Sequence, residues 1–380
     1  MAVMKIMIGL SGGVDSAVAA YLLKRDGHEV TACFMRNWDA LANGDYLGNP
    51  TINNEQCPQE KDWDDACAVA KKLDIPIMRI DFVKEYWDEV FSFFLSEYKK
   101  GRTPNPDIFC NKYVKFDAFL KFAKSKGFDM IAMGHYAKRI DRNGKAYLLK
   151  SFDLNKDQTY FLSQISQEQL KSSIFPLGDI DKTEVRKIAH QLGLSSVMDK
   201  KDSTGICFIG ERDFKKFLEN YIPAKKGKIV DIENNRIIGQ HDGVMYYTIG
   251  QRKGLGLGGI SGELAKGWFV VKKDVINNIL YVASGDENDY LYSTSCIVKN
   301  LNFITDRPQN GSSLMAKFRY RQKDNPVKIN FIDEDTLELV FATPYKAVTT
   351  GQAAVLYDGD ICLGGGLIEE VYRNKKRIDI

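Results

Sequence analysis

Three short stretches of this chain carry residue types suited to handling a phosphate or a sulfur atom. The first is Gly9, Leu10, Ser11, Gly12, Gly13, Val14, Asp15, Ser16. A glycine pair lets backbone approach an anion closely, and the helix predicted to follow offers its free first N–H groups and its dipole to negative charge. Phosphate is the natural guest. The stretch lacks the Gly-Lys-Ser/Thr ending of a Walker loop and the spaced glycines of a dinucleotide fingerprint. A plain strand-to-helix turn would use the same residues, and Asp15 would repel a triphosphate here unless Mg²⁺ bridged the two. The second stretch, positions 102–112, reads Arg-Thr-Pro-Asn-Pro-Asp-Ile-Phe-Cys-Asn-Lys. Its two prolines restrict the backbone and deliver Cys110 to the start of a predicted helix, where a thiol of ordinary pKa about 8.5 ionises more readily. The third, positions 202–210, is a polar, glycine-bounded loop with Cys207 between apolar neighbours. Taken singly, either cysteine reads more readily as a small buried hydrophobe than as a reactive thiol. Neither lies in a CxxC pair or a metal-ligand spacing, so no metal site is expected of them.

The elements around these stretches alternate. Positions 5–9 read as a buried strand, 16–24 as a helix and 29–35 as the next strand. Helices over 63–73, 84–98 and 114–124 and strands over 76–82 and 129–134 continue the pattern, which predicts a parallel sheet covered on both faces. From about position 227 helical periodicity fades. Short alternating runs replace it at 244–249, 268–271 and 279–282, and then at 314–320, 327–331, 336–341, 353–357 and 361–367. Such runs, separated by turn signals, predict a small barrel or sandwich at the C-terminal end.

At 380 residues with 44% hydrophobic positions, the chain exceeds what one core usually serves. Three units are expected, over 1–210, 211–288 and 289–380. A net charge of +3, from 53 basic and 50 acidic residues, excludes a uniformly basic surface and confines any nucleic-acid contact to local patches. Candidate patches are Lys121, Lys124 and Lys126; Lys225, Lys226 and Lys228; Lys317, Arg319, Arg321 and Lys323; and Arg373, Lys375, Lys376 and Arg377. Seven thinly spread cysteines fit a reducing cytoplasm rather than a secreted disulfide scaffold. Residues 1–8 run into an apolar strand without a charged leader, and no apolar stretch is long enough to span a bilayer, so an unanchored, soluble protein is expected.

The string Ser-Gly-Gly-Val-Asp-Ser resembles the signature of the ATP pyrophosphatases, which cleave ATP between its α and β phosphates and adenylate a substrate oxygen. With the segments at 101–116 and 205–210, the chain as a whole resembles the tRNA-specific 2-thiouridylases. That resemblance implies a Rossmann-like sheet of the adenine nucleotide alpha-hydrolase kind, a small mixed or β central domain and a C-terminal β-barrel. It implies a tRNA-uridine 2-sulfurtransferase, with ATP and Mg²⁺ as cofactors, tRNA as substrate at the wobble uridine, and a persulfide-carrying donor protein as partner. Cys110 would be the nucleophile, Cys207 the persulfide carrier and Asp107 the acid/base group. The nucleotide would lie on Gly9 to Ser16 with Met35 and Gly134. Contacts to tRNA would come from Asn105, Pro106, Asp107, His135, Lys156, Asp157, Gln158, Arg319, Tyr320 and Gln352. Phe109 and Thr159 depart from the family's usual residues without removing an atom the chemistry needs. Cys33, Cys57, Cys67, Cys296 and Cys362 match no catalytic motif and are expected to be structural. The rival readings are another ATP pyrophosphatase-type ligase acting on a small molecule, which needs no cysteine pair, and a non-catalytic RNA-binding protein, against which intact Ser11, Asp15 and Ser16 argue.

Overall fold

The computed structural model describes residues 3–54, 57–201, 209, 212–257 and 267–378. The chain opens with β1 (Lys5–Gly9), α1 (Val14–Arg25), β2 (Glu29–Arg36), α2 (Pro58–Leu73) and β3 (Ile77–Asp81). Then α3 (Val83–Tyr86) passes through a π-helical turn, Trp87–Phe91, into α4 (Ser92–Lys99). A second composite helix joins α5 (Pro106–Phe109), a π-helical stretch Cys110–Ala118 and α6 (Phe119–Ser125). There follow β4 (Met130–Ala132), the hairpin β5 (Lys138–Arg142) and β6 (Lys145–Leu149), α7 (Gln167–Lys171), β7 (Ser173–Ile174) and α8 (Lys182–Gln191).

Strands β3-β2-β1-β4-β7 form one parallel sheet. Ile6 and Ile8 of β1 pack with α1, α2 and α8, whereas Met7 faces the helices on the other side. A strand buried on both faces has no polar positions to alternate, which is why β1 reads as a continuous apolar run. Chain order runs outward from β1 in both directions, so a crevice opens beyond the carboxyl ends of β1 and β4, the usual ligand position in such sheets.

The second unit comprises α9 (Phe214–Glu219), β8 (Gly227–Asp231), β9 (Ile237–His241), β10 (Trp268–Asp274) and β11 (Ile279–Ser284), with its sheet in the order β10-β11-β8-β9. The third contains β12 (Tyr292–Phe303), β13 (Ser313–Lys317), β14 (Asn325–Phe331), β15 (Thr336–Lys346), β16 (Ala353–Asp358), β17 (Ile361–Arg373) and β18 (Lys376–Arg377). Strands β12-β15-β14-β13-β16-β17 close on themselves through β12–β17 pairing and make a six-stranded barrel. Gly364 lets β17 bend between its two neighbours: its φ is 110°, and a Cβ there would stand 2.1 Å from the Asn302 carbonyl oxygen.

Two expectations are corrected. The alternating run at 244–249 is not a strand; Val244–Tyr246 is a 3-10 turn whose buried Val244 and Tyr246 imitate strand periodicity. The helix bearing Cys110 begins at Pro106, because Asn105 caps it by accepting the Asp107 N–H at 3.1 Å and Pro106 occupies its first turn.

Candidate active site

The loop after β1 is shaped by close approaches that leave no room for side chains. Gly9 sits where a Cβ would meet Met133 Sδ at 2.8 Å and Met35 Cε at 3.0 Å, so Gly9, Met35 and the end of β4 are in contact range. Gly12 has φ +70°, and a side chain there would run into the Asp62 carbonyl oxygen 2.3 Å away. The Ser16 hydroxyl donates to the Gly13 carbonyl at 3.0 Å and accepts the Ser11 N–H at 3.1 Å, fixing the curl of the loop. Gly13, the N-cap of α1, provides no side-chain cap. The first-turn amides of a twelve-residue helix therefore face the crevice without an internal competitor. Gly134, just beyond β4, lies so close that a Cβ would be 2.8 Å from the Ser16 nitrogen.

Asp15 has protein partners that sequence reading did not supply. Tyr136 Oη donates to its Oδ1 at 2.7 Å, and Lys182 Nζ reaches Oδ1 and Oδ2 at 2.7 and 2.8 Å. Lys200 Nζ donates to the Gly12 carbonyl at 2.9 Å and pairs with Asp62 and Asp65 of α2 at 2.6 and 2.9 Å, fastening the loop from below. Tyr136 had a signal available, since it follows Gly134 and His135 directly. The two lysines had none, because only the fold brings α8 and the chain after it back to α1.

The helix that carries Cys110 is tied to this loop through a chain of hydrogen bonds. Gln158 holds Tyr136 from both sides, accepting its N–H on Oε1 at 2.9 Å and donating its own N–H to the Tyr136 carbonyl at 2.9 Å. Three residues on, the Phe161 carbonyl accepts from Asn111 Nδ2 at 3.1 Å, beside Cys110. Cys110 is fully buried at the start of the π-helical stretch, one turn above half-buried Asp107. Interruptions of this kind are frequent where helices serve a functional site. Cys207 lies outside the described residues. The chain on either side of its segment is anchored at the same end of the sheet: Lys200 on the phosphate loop, and Arg212 on buried Asp45, which also accepts from Trp38 Nε1 at 3.1 Å.

Residues 4–211 match the tRNA methyl transferase HUP domain family, 215–284 the tRNA methyl transferase PRC-barrel domain family, and 293–368 the aminomethyltransferase beta-barrel domain family. A protein of Mycoplasma capricolum named tRNA-specific 2-thiouridylase MnmA is 55% identical over 377 residues, which cover 97% of this chain and 99% of that one. Proteins of the same name from Lacticaseibacillus paracasei and Geobacillus thermodenitrificans are each 51% identical, over 98% of this chain and 96% and 97% of theirs. This chain belongs to the tRNA-specific 2-thiouridylase family.

Several of the positions that the resemblance marks for RNA are engaged in contacts within the protein. Asp157 is buried, accepts from Thr159 Oγ1 at 2.8 Å and faces Lys317 Nζ at 3.5 Å. Tyr320 packs at a tilt against Phe161, with ring centroids 4.3 Å apart, and burial first of all raises its pKa, with Lys156 and Asp157 among the charges acting on it. Arg319 Nη2 donates to the carbonyls of Ile249 and Ala347 at 2.8 and 3.0 Å, bracing barrel against central unit, and burial lowers its pKa. Gln352 Nε2 donates to the Thr103 carbonyl at 2.5 Å, two residues ahead of Asn105. His135 is buried between Phe116 and Phe175; desolvation first, and Lys115 second, hold its pKa well below the usual histidine value, so it is a neutral ring. Of the remaining cysteines, Cys33 and Cys362 are buried and pushed up to about 12 by desolvation, as expected of packing residues.

Proposed function

We propose that the protein replaces O2 of the wobble uridine of tRNA with sulfur, at the expense of ATP, in the cytoplasm. The observation that carries this is the hydrogen-bonded path from Asp15 through Tyr136 and Gln158 to the Thr159–Leu162 turn, and on to Asn111 beside Cys110. It ties a loop fitted to phosphate to the helix that bears a thiol.

ATP would lie with its phosphates on Gly9, Leu10, Ser11, Gly12, Gly13, Val14, Asp15 and Ser16, and with Met35 and Gly134 closing the pocket. The open amides of α1 and the glycine close approaches fit that guest. Asp15 would be the loop's carboxylate for a Mg²⁺ that screens the phosphate charge, an ion that binds few protein ligands. Asn105, Pro106 and Asp107 would face the target base, splayed from its single-stranded loop. The other RNA contacts are assigned to His135, Lys156, Asp157, Gln158, Arg319, Tyr320 and Gln352.

A uracil oxygen is a poor leaving group. Its attack on the α phosphorus expels pyrophosphate and converts O2 into a phosphoester. The outer sulfur of a persulfide on Cys207, loaded by a persulfide-carrying donor protein, then bonds to C2, and AMP departs with O2. Asp107 would exchange the protons. The Cys110 thiolate next attacks Cys207 Sγ; the bond between Cys207 and the outer sulfur breaks, its electron pair stays with the sulfur on C2, and 2-thiouridine results. The Cys110–Cys207 disulfide so formed is opened by an external dithiol.

The test is mass analysis of nucleosides from tRNA incubated with the protein, ATP, Mg²⁺ and a persulfide donor. A 2-thiouridine signal is expected, and Cys110→Ser and Cys207→Ser should each lower it by roughly a hundredfold or more, the scale of losing a nucleophile. Near-normal thiolation by either variant would remove its assigned role. ATP–pyrophosphate exchange with a small carbonyl acceptor and no RNA would instead favour a small-molecule ligase.

A further inference from the structure

We infer that Lys182 is a ligand of the pyrophosphate portion of the bound nucleotide, held in readiness by Asp15. This deepens the reading of the loop as a nucleotide site and rests on it. Lys182 is the first residue of α8, whose N-cap is Asp181. A cation there opposes the helix dipole, so helix stability does not account for a lysine at this position. Its own N–H is held by Asp153 Oδ2 at 3.2 Å, and its ammonium spans both oxygens of Asp15 at 2.7 and 2.8 Å. Only 12% of the Lys182 side chain is exposed, against 33% for Asp15, so the ammonium is held against the loop carboxylate and largely out of solvent.

The neighbouring cations are placed differently. Lys200 is balanced by two carboxylates and bound to the Gly12 carbonyl, which makes it a fastener of the loop. Lys138 pairs with Asp179, whose side chain is 85% exposed. Lys182 instead reaches Asp15, the carboxylate of the loop itself, with both oxygens in hydrogen-bond range. With Asp15 neutralised, a polyphosphate can approach the α1 amides. As the α–β bond breaks, negative charge gathers on the departing pyrophosphate, and a lysine at this point stabilises it where it develops.

The experiment measures pyrophosphate and AMP binding to the full chain by calorimetry in wild type, Lys182→Met, Lys182→Arg and, as a neighbouring control, Lys138→Met. Lys182→Met is expected to weaken pyrophosphate by roughly tenfold or more while AMP changes by less than about twofold, with Lys182→Arg recovering most of the loss and Lys138→Met matching wild type. An unchanged pyrophosphate affinity, or equal losses for pyrophosphate and AMP as a merely structural strut would give, overturns the inference. If Lys182→Met lacks a cooperative melt, Lys182→Gln, which keeps a hydrogen bond to Asp15 without the charge, takes its place under the same criteria. Wild type that binds neither ligand sinks the nucleotide reading and this inference together. Wild type that binds pyrophosphate through Lys182 yet makes no 2-thiouridine sinks only the thiolation reading.

Discussion

Asn37 follows β2 directly, two residues beyond Met35, and is wholly buried, yet among the described residues neither its side-chain nitrogen nor its oxygen has a hydrogen-bond partner. Such a group costs about 1–3 kcal/mol of desolvation, and a position that carries the penalty in the empty protein points to a polar ligand arriving there. Asn37→Leu, close to isosteric and apolar, should therefore raise the unfolding free energy by about 1–3 kcal/mol in urea titrations while weakening ATP binding. A variant less stable than wild type would mean the amide is satisfied after all. The same scale explains what could be read from residues alone. The tight turn into a helix was legible from Gly9 to Ser16 because glycine freedom and a helix start are local properties. Lys182 and Lys200 stayed hidden because each reaches Asp15 or Gly12 from more than a hundred and fifty positions away.

Among the elements, β10 shows how a packing decision becomes a pH dependence. Lys273 is buried on that strand and donates to the Tyr247 carbonyl at 2.9 Å, which pins the 244–246 turn to the sheet. Desolvation lowers its pKa from 10.5 to about 7. Between those values the unfolded chain holds a proton that the folded chain does not, so this residue makes stability rise with pH across the window, by up to about 1.4 kcal/mol per pH unit. Below it the folded protein must bury the charge. Lys273→Met should flatten the difference, visible as a wild-type-minus-variant stability that climbs from pH 7 towards 10; a constant difference would contradict the assignment. Strand and helix identity was legible wherever burial followed one period. The strand at 5–9 was placed as it stands. The twelve-residue β12 was missed because its inward positions include Ser293 and Ser295, buried but polar, which break the apolar alternation. The β5–β6 hairpin was missed although Asn143-Gly144, with φ of 50° and 75°, carries the strongest short turn signal there is.

At the scale of the whole molecule, the segment leading to Asn105 is clasped by both other units. Thr103 donates its N–H to the Thr350 carbonyl at 3.0 Å, and its hydroxyl lies 3.3 Å from that of Thr248. Arg102 bridges Glu369 of the barrel, at 2.8 Å, and buried Glu97. Arg102→Met would leave Glu369 without this partner and Glu97 paired with Lys100, costing about 1–3 kcal/mol, short of the loss at a fully buried pair. Limited proteolysis should then cut between the first unit and the barrel faster than in wild type, and an unchanged rate would show the clasp to be dispensable. Family membership was readable from three separated motifs, but this docking was not, since it depends on contacts across the chain. The hairpin has an equal reach. Leu148 and Leu149 of β6 pair with Cys362 and Ile361 of β17, so the first unit lends two strands to the barrel's sheet. Severing the polypeptide ahead of Tyr292 would strip one border from each fragment, exposing rows of unsatisfied amides and carbonyls that recruit foreign chains. A stand-alone piece of either half is therefore expected to stay soluble only if that edge is covered.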